Sequence, residues 1–307
     1  MTVGARSLVV GEALVDIVKE SSGETREHVG GSPLNVAVGL ARLGHHVELA
    51  TSIGTDHHGR LIEEHLGHDF VGLTPGSRNA ERTATATATV DESGSATYEF
   101  DLAWDLAEVP TGFDHLHTGS IGALMQPGAT QVREALLRGR AESTISYDPN
   151  VRPTLMGEPQ DVRSDLEQIV GLSDVVKASD EDISWLHGDE TSTAEILRLW
   201  GRLGPALVVA TRGADGALVH VTATGETVEV PGVRAEVADT VGAGDSFMSG
   251  LIAGLLDQGL LGGVDARERL RMAAKDQLLQ AVDLAIRSSA ITVSRQGAQP
   301  PRRDELG

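Results

Sequence analysis

Cysteine is absent from the 307 residues, which excludes disulfides, zinc–thiolate centres and thiol nucleophiles together. Lysine is scarce: Lys19, Lys177 and Lys275 are the whole supply. Aromatic residues make up 3% of the chain, and 25 Lys and Arg face 45 Asp and Glu, a formal charge of -20. That balance excludes a nucleic-acid binder, which needs a basic footprint. It also requires any anionic ligand to be held by local backbone dipoles and a few cations rather than by a general field. No apolar run reaches the ~18 residues of a bilayer span, and the N-terminus lacks a basic segment leading into an apolar one. The chain reads as soluble and cytoplasmic, with no membrane partner. Of the eleven histidines, most come in pairs such as His45–His46, His57–His58 and His115 with His117. None has the helical spacing of a metal site. Most read as surface or strand-end residues, and none is assigned a catalytic part.

What is present is alternation. Strands are expected over 7–18, 46–53, 114–119, 144–148, 173–178 and 205–211, and helices over 32–43, 57–67, 128–139, 192–203, 243–258 and 266–289. This pattern predicts a single α/β domain over 1–307, a three-layer sandwich with a parallel sheet between helices. Ligands of such sheets sit outside the carboxyl ends of the strands, where Asp16, Asp148, Asn150, Thr211 and Gly242 fall. One region departs from the pattern. Residues 83–90 run Thr-Ala-Thr-Ala-Thr-Ala-Thr-Val with strict period two, 96–102 alternate through Tyr98 and Phe100, and Asp91-Glu92-Ser93-Gly94 offers a turn. This is a hairpin. A lone hairpin is marginal, so 83–103 is expected to join 14–29 in a small β-sheet.

The chemistry concentrates near residue 242. Gly242, Ala243 and Gly244 lead into Asp245, and Phe247, Leu251, Ile252, Leu255 and Leu256 follow with helical spacing. A glycine turn feeding a helix leaves its first N–H groups unpartnered at the positive end of the dipole, an anion site. A carboxylate there would repel a passively bound phosphate. As a general base beside a phosphoryl group in transit, it accepts the proton of an attacking hydroxyl. The plain alternative is that Asp245 caps its helix. Upstream, Gly30-Gly31-Ser32-Pro33-Leu34-Asn35 opens another helix, with Ser32 expected as N-cap, Pro33 as the first helical residue and Gly44 as the stop.

The run from Asp239 to Phe247 resembles the C-terminal signature of the ribokinase-like carbohydrate kinases, the phosphofructokinase-B family, and Gly30 to Ala37 resembles its N-terminal signature. Gly11-Glu12-Ala13-Leu14-Val15-Asp16 is similar to the family's first strand, Ser52 to Asp56 with Gly59 to its second strand-to-helix turn, and Val208 to Gly216 to its nucleotide-side strand. Asp148-Pro149-Asn150-Val151-Arg152 and Ile291 to Ala298 look like elements of the fructokinase branch. The resemblance implies a ribokinase-like fold whose small sheet is a lid over the sugar, and an ATP- and Mg²⁺-dependent kinase. The sugar would meet Asp16, Gly31, Asn35 and Arg152; ATP would meet Thr211, Gly213, Gly216, Gly242 and Gly244; Asp245 would be the base. D-fructose is the implied acceptor. Ribose, 2-keto-3-deoxygluconate or a nucleoside is the alternative, and a non-catalytic sensor of sugar or nucleotide is the rival from outside the enzymes.

Several residues carry two readings. Lys177, at the end of an apolar strand, reaches a nucleotide phosphate or snorkels to solvent. Tyr98 and Phe100 stack on the sugar or pack against the domain. Where the family often has Asn-x-x-Glu, this chain has Ser179 and Asp182. The shorter Asp182 reaches magnesium through water, or Ser179 and Asp182 simply start a helix. Asp239 matches the position at which relatives hold K⁺, or it braces the loop. In this family the lid sheet often supports a homodimer.

Overall fold

The segment 7–18 is not one strand but two, in different sheets, and the break at Gly11–Ala13 divides the architecture. The structure, a computed structural model, describes residues 4–22, 24–90 and 96–307. Leu8, Val9 and Val10 have no exposed surface, as befits a strand covered on both faces. Residues 14–19 are only partly buried. A Cβ on Gly11 would lie 2.3 Å from Pro33 Cγ, so only glycine lets the chain cross the start of the first helix here.

In chain order the strands are β1 (Arg6–Val10), β2 (Leu14–Lys19), β3 (Thr25–Gly30), β4 (His46–Ala50), β5 (Gly72–Leu73), β6 (Thr85–Val90), β7 (Ala96–Asp101), β8 (His115–Gly119), β9 (Thr144–Asp148), β10 (Val175–Ser179), β11 (Leu207–Thr211), β12 (Ala217–Val221) and β13 (Glu226–Val230). The large sheet has the order β13-β12-β11-β10-β9-β8-β1-β4-β5. It is parallel from β11 to β5, with β12 and β13 antiparallel at one edge. The small sheet has the order β3-β2-β6-β7. The 83–103 hairpin therefore joins the 14–29 segment through parallel β2–β6 pairing. Its Asp91–Gly94 turn lies outside the described residues.

Helices are α1 (Ser32–Arg42), α2 (His57–His68), α3 (Gly128–Gly139), α4 (Pro153–Met156), α5 (Pro159–Leu172), α6 (Asp180–His187), α7 (Thr193–Leu203), α8 (Ala243–Asp257), α9 (Val264–Met272) and α10 (Lys275–Val293). Strand side chains alternate between two cores. Val9, Leu207 and Val209 pack with Leu34, Ile62, Leu251, Leu270 and Val282 of α1, α2, α8, α9 and α10. Leu8, Val10, Val208 and Ala210 pack with Val132, Leu166, Ile183 and Trp200 of α3, α5, α6 and α7. This is the three-layer sandwich.

The expected helix 266–289 is two helices, separated where Ala273 and Ala274 turn extended (ψ 139° and 143°). The Leu270–Leu278 spacing suits an unbroken helix, and no glycine or proline marks the break. The Gln277 side chain instead accepts the Ala274 amide at 3.2 Å. His115 and His117 are not surface residues but fully interior. His115 pairs with the Thr144 and Ser146 hydroxyls at 2.9 and 3.0 Å, and His117 with the same Ser146 hydroxyl at 2.9 Å. Burial holds both imidazoles neutral, with pKa values near 3. The β12–β13 hairpin and helix α5 were not expected from the sequence pattern, whereas α6 starts at Ser179, as one of the two readings of that segment had it.

Small residues set the helix spacing around α8. A Cβ on Gly39 of α1 would lie 2.3 Å from Ser249 Oγ, and one on Gly250 or Gly254 would lie 2.8 or 2.9 Å from the Cα of Ala285 or Ala281 of α10. With α8 clasped this closely, Asp245 through Leu256 are all buried.

At the opposite end of the sheet, buried Asp174 accepts Ile145 N at 2.8 Å, Arg140 Nη1 at 3.1 Å and Arg267 Nε at 2.7 Å. Asp174→Ala is expected to destabilise the fold by about 3 kcal/mol or more, because it strands two guanidinium groups. A thermal melt checks this, and an unchanged melting temperature would deny the cluster a structural role.

Candidate active site

The site begins with an unusual helix start. Gly242 caps α8 in the left-handed region, φ 75°, where a Cβ would lie 2.5 Å from Ala298 Cβ. Glycine is required on both counts. The Ala243 amide is used by Thr240 O at 3.2 Å and the Ser246 amide by Gly242 O at 2.8 Å. The amides of Gly242, Gly244 and Asp245 have no acceptor among the described residues. The open donors are therefore Gly242, Gly244 and Asp245, with Ala243 removed from the expected set.

Asp245 is 8% exposed. Its Oδ1 accepts the Ser32 hydroxyl at 2.6 Å and its Oδ2 accepts the Asn35 amide at 2.8 Å. Both partners sit on α1, and both differ from expectation. Gly31, not Ser32, is the N-cap, with φ 112° and a virtual Cβ 2.6 Å from Glu12 O. Shifting the cap by one residue frees the Ser32 hydroxyl for Asp245. Asn35, expected on a sugar, donates to the same carboxylate.

Asp16 lies on exposed β2, paired in register with His28. Gly30 makes room for it, since a Cβ there would lie 2.6 Å from Asp16 Oδ2. Partial desolvation raises its pKa, offset by the charges of His28 and Arg152. Arg152 is exposed, donates to Asn150 Oδ1 at 2.7 Å, and also acts on buried Glu12. Phe100 is 39% exposed on β7; the side chain of Tyr98 lies outside the described residues.

Glu12 was missed as a site residue, although an acid closing an apolar strand is a readable signal. It is 5% exposed and accepts Gly122 N at 2.9 Å. Burial pushes its pKa up to about 7 against the hydrogen bonds from its own amide, Gly122 and Ser120 and the charge of Arg152.

Lys177 neither snorkels nor stands free. Its Nζ donates to Asp148 Oδ2 at 2.9 Å, with the two side chains 3% and 1% exposed. A Cβ on Gly244 would lie 3.0 Å from that Nζ, which puts the ammonium at the first turn of α8. Asp182 follows the helix-start alternative: Oδ2 accepts Ser179 N at 2.9 Å, Oδ1 accepts Val151 N at 3.0 Å, and Ser179 Oγ accepts Asp182 N at 2.9 Å. Asp239 braces its loop, accepting Val241 N at 3.0 Å and Gly297 N at 2.9 Å. Those amides hold its carboxyl below the usual range. Thr211 ends β11, and Gly213 and Gly216 form the next turn with φ 52° and 88°. Among the described residues, no cluster of three His, Asp or Glu side chains is placed to hold a metal, and no helix is long and apolar enough to cross a membrane.

The pfkB family carbohydrate kinase profile matches residues 5–305. The chain is 31% identical to a fructokinase of Klebsiella pneumoniae over 97% of both chains, and 32% identical to one of Escherichia coli over 98% of both. A double mutant of Vibrio cholerae O395 fructokinase, in its fructose-, ADP- and potassium-bound form, superposes with a TM-score of 0.82 at 29% identity, covering 98% of this chain and 97% of that one.

Glu12 gives a signed pH dependence. The folded chain retains a proton on it between its ordinary 4.5 and about 7, where the unfolded chain does not. Its contribution to stability therefore falls as pH rises through that window. Glu12→Gln removes the titration, so wild type should lose stability relative to the variant between about pH 5 and about pH 8, on the order of 3 kcal/mol at the limits. Parallel melting curves of the two proteins across pH would refute the shift.

Proposed function

The chain belongs to the pfkB family of carbohydrate kinases, and from that premise we propose that it transfers the γ-phosphoryl group of ATP to a primary hydroxyl of D-fructose, with Asp245 as general base. The observation that carries this reading is Asp245 itself. It stands beside open helix amides while Ser32 and Asn35 of α1 aim its carboxylate. A residue in that place serves both partners of the reaction. One oxygen takes the hydroxyl proton as the oxygen attacks phosphorus. The amides of Gly242, Gly244 and Asp245 receive the charge that builds on the phosphoryl oxygens, and being fixed beforehand they need no reorganisation.

On the sugar side we assign Asp16, Gly31 and Arg152, with Asn35 acting through Asp245. On the nucleotide side we assign Lys177, Thr211, Gly213 and Gly216. The small sheet is the lid, which excludes water that would otherwise compete as acceptor. We also assign a magnesium ion to the nucleotide, held chiefly by phosphates and water. Bound there, the ion supplies charge neutralisation. Fructose is favoured because the Klebsiella pneumoniae and Escherichia coli relatives are named fructokinases.

Asp245→Asn should fold and bind MgADP yet lose turnover by roughly two to four orders of magnitude, measured by coupled ADP release. Near-normal turnover would remove Asp245 as base. In a sugar panel with MgATP, fructose should give the highest kcat/KM; a preference of about tenfold or more for ribose, 2-keto-3-deoxygluconate or adenosine would overturn the substrate and keep the kinase. We also assign a monovalent cation to the loop that Asp239 braces, as the Vibrio cholerae enzyme is described with potassium. Rates at equal ionic strength should be higher in potassium than in sodium or a bulky organic cation. Equal rates in all three, with Asp239→Ala still impaired, would leave Asp239 as a brace alone.

A further inference from the structure

Asp148 is the last residue of β9, and its carboxylate is the partner of Lys177 on neighbouring β10. A lone ammonium on a buried strand would shed its proton. Burial does pull Lys177 that way, but Asp148, Asp182 and Asp245 outweigh it and raise its pKa. These three carboxylates approach from β9, α6 and α8; the remaining titratable group beside the ammonium is His117 of β8, which stays neutral. Of the three acids, only Asp148 bonds the ammonium directly, at 2.9 Å. Asp182 spends its oxygens on backbone amides and Asp245 on Ser32 and Asn35. Asp148 Oδ1 is buried without any hydrogen-bond partner, an arrangement that a purely structural ion pair would avoid. Its backbone is fixed as well: its carbonyl accepts Ser120 N at 3.0 Å, and a Cβ on Gly119 would lie 2.3 Å from that oxygen.

We propose that Asp148 is a positioning residue for phosphoryl transfer: it holds the Lys177 ammonium at the first turn of α8, where that cation meets the nucleotide phosphates, and it acts on the reaction only through this lysine. The inference rests on reading the α8 turn as the phosphate site. In a chain of three lysines, Lys177 is the only lysine at this turn, and Asp148 is the one carboxylate among the described residues that bonds it. The unpartnered Oδ1 is intelligible in these terms, since the carboxylate is oriented toward the cation and not toward the surrounding fold.

The test compares Asp148→Asn with wild type by two readouts, kcat for sugar phosphorylation and MgADP affinity by calorimetry across pH. Asp148→Asn should lower kcat ~10- to 100-fold, as loss of positioning does. The alkaline decline of MgADP affinity should move down by about one pH unit or more, because the lysine has lost its nearest carboxylate. A general structural defect would lower affinity at all pH values and leave the decline in place, and that result overturns the proposal. If the single variant does not fold, the pair Lys177→Met and Asp148→Asn/Lys177→Met decides, since the double variant leaves no charge unpaired. Equal kcat in these two supports the proposal. A further loss of about tenfold or more in the double variant overturns it, because Asp148 would then act without the lysine. Should wild type phosphorylate no sugar, the kinase reading fails, and the pH shift in MgADP binding still decides the role of Asp148.

Discussion

Two hydrogen bonds, from Ser32 and Asn35 to Asp245, join the halves of the site. They exist because α1 and α8 start at the same edge of the sheet and lie close along their length. Gly39 against Ser249 permits that approach, while Gly250 and Gly254 let α10 close on α8 from another side. The interior position of α8 has an electrostatic consequence. Its body from Asp245 to Leu256 is buried while Gly242 to Gly244 are half-exposed, so the positive end of the dipole opens where an anion can reach it. Backbone geometry thus provides what side-chain charge does not, in a protein with a net charge of -20.

The charges that remain are arranged rather than abundant. One lysine, Lys177, is opposed by Asp148, Asp182 and Asp245, so the side chains give the first turn of α8 no surplus of positive charge. Burial pushes Asp148 up to about 6 despite Lys177, with Asp182 and Asp245 adding to the rise. Three carboxylates from β9, α6 and α8 thus surround a single ammonium.

Much of this was legible in the residues, and the exceptions have physical causes. Periodicity identified most strands of the central sheet, because buried parallel strands are unbroken apolar runs. It merged β1 with β2, since both are apolar and only Gly11 signals the change of sheet. It missed the break between α9 and α10, where two alanines become extended with no glycine or proline to announce it. The motif around Asp245 was recognisable, but its partners were not: Ser32 and Asn35 lie more than two hundred residues away in sequence, and no local pattern encodes that meeting. No local pattern joins Lys177 to Asp148 either, or reveals the weakened acidity of Glu12, which burial alone produces.

One connection has a mechanical meaning. Strand β3 of the small sheet ends at Gly30 and α1 begins at Ser32, with Gly31 alone between them. Gly31 is pressed against the carbonyl of Glu12, so the joint has a fulcrum as well as a pivot. The small sheet and the helix that carries Ser32 and Asn35 are therefore joined through a single residue, so the end of β3 fixes where α1 begins. No linker stands between that sheet and the two side chains bonded to Asp245, so the covalent chain itself ties the one to the other.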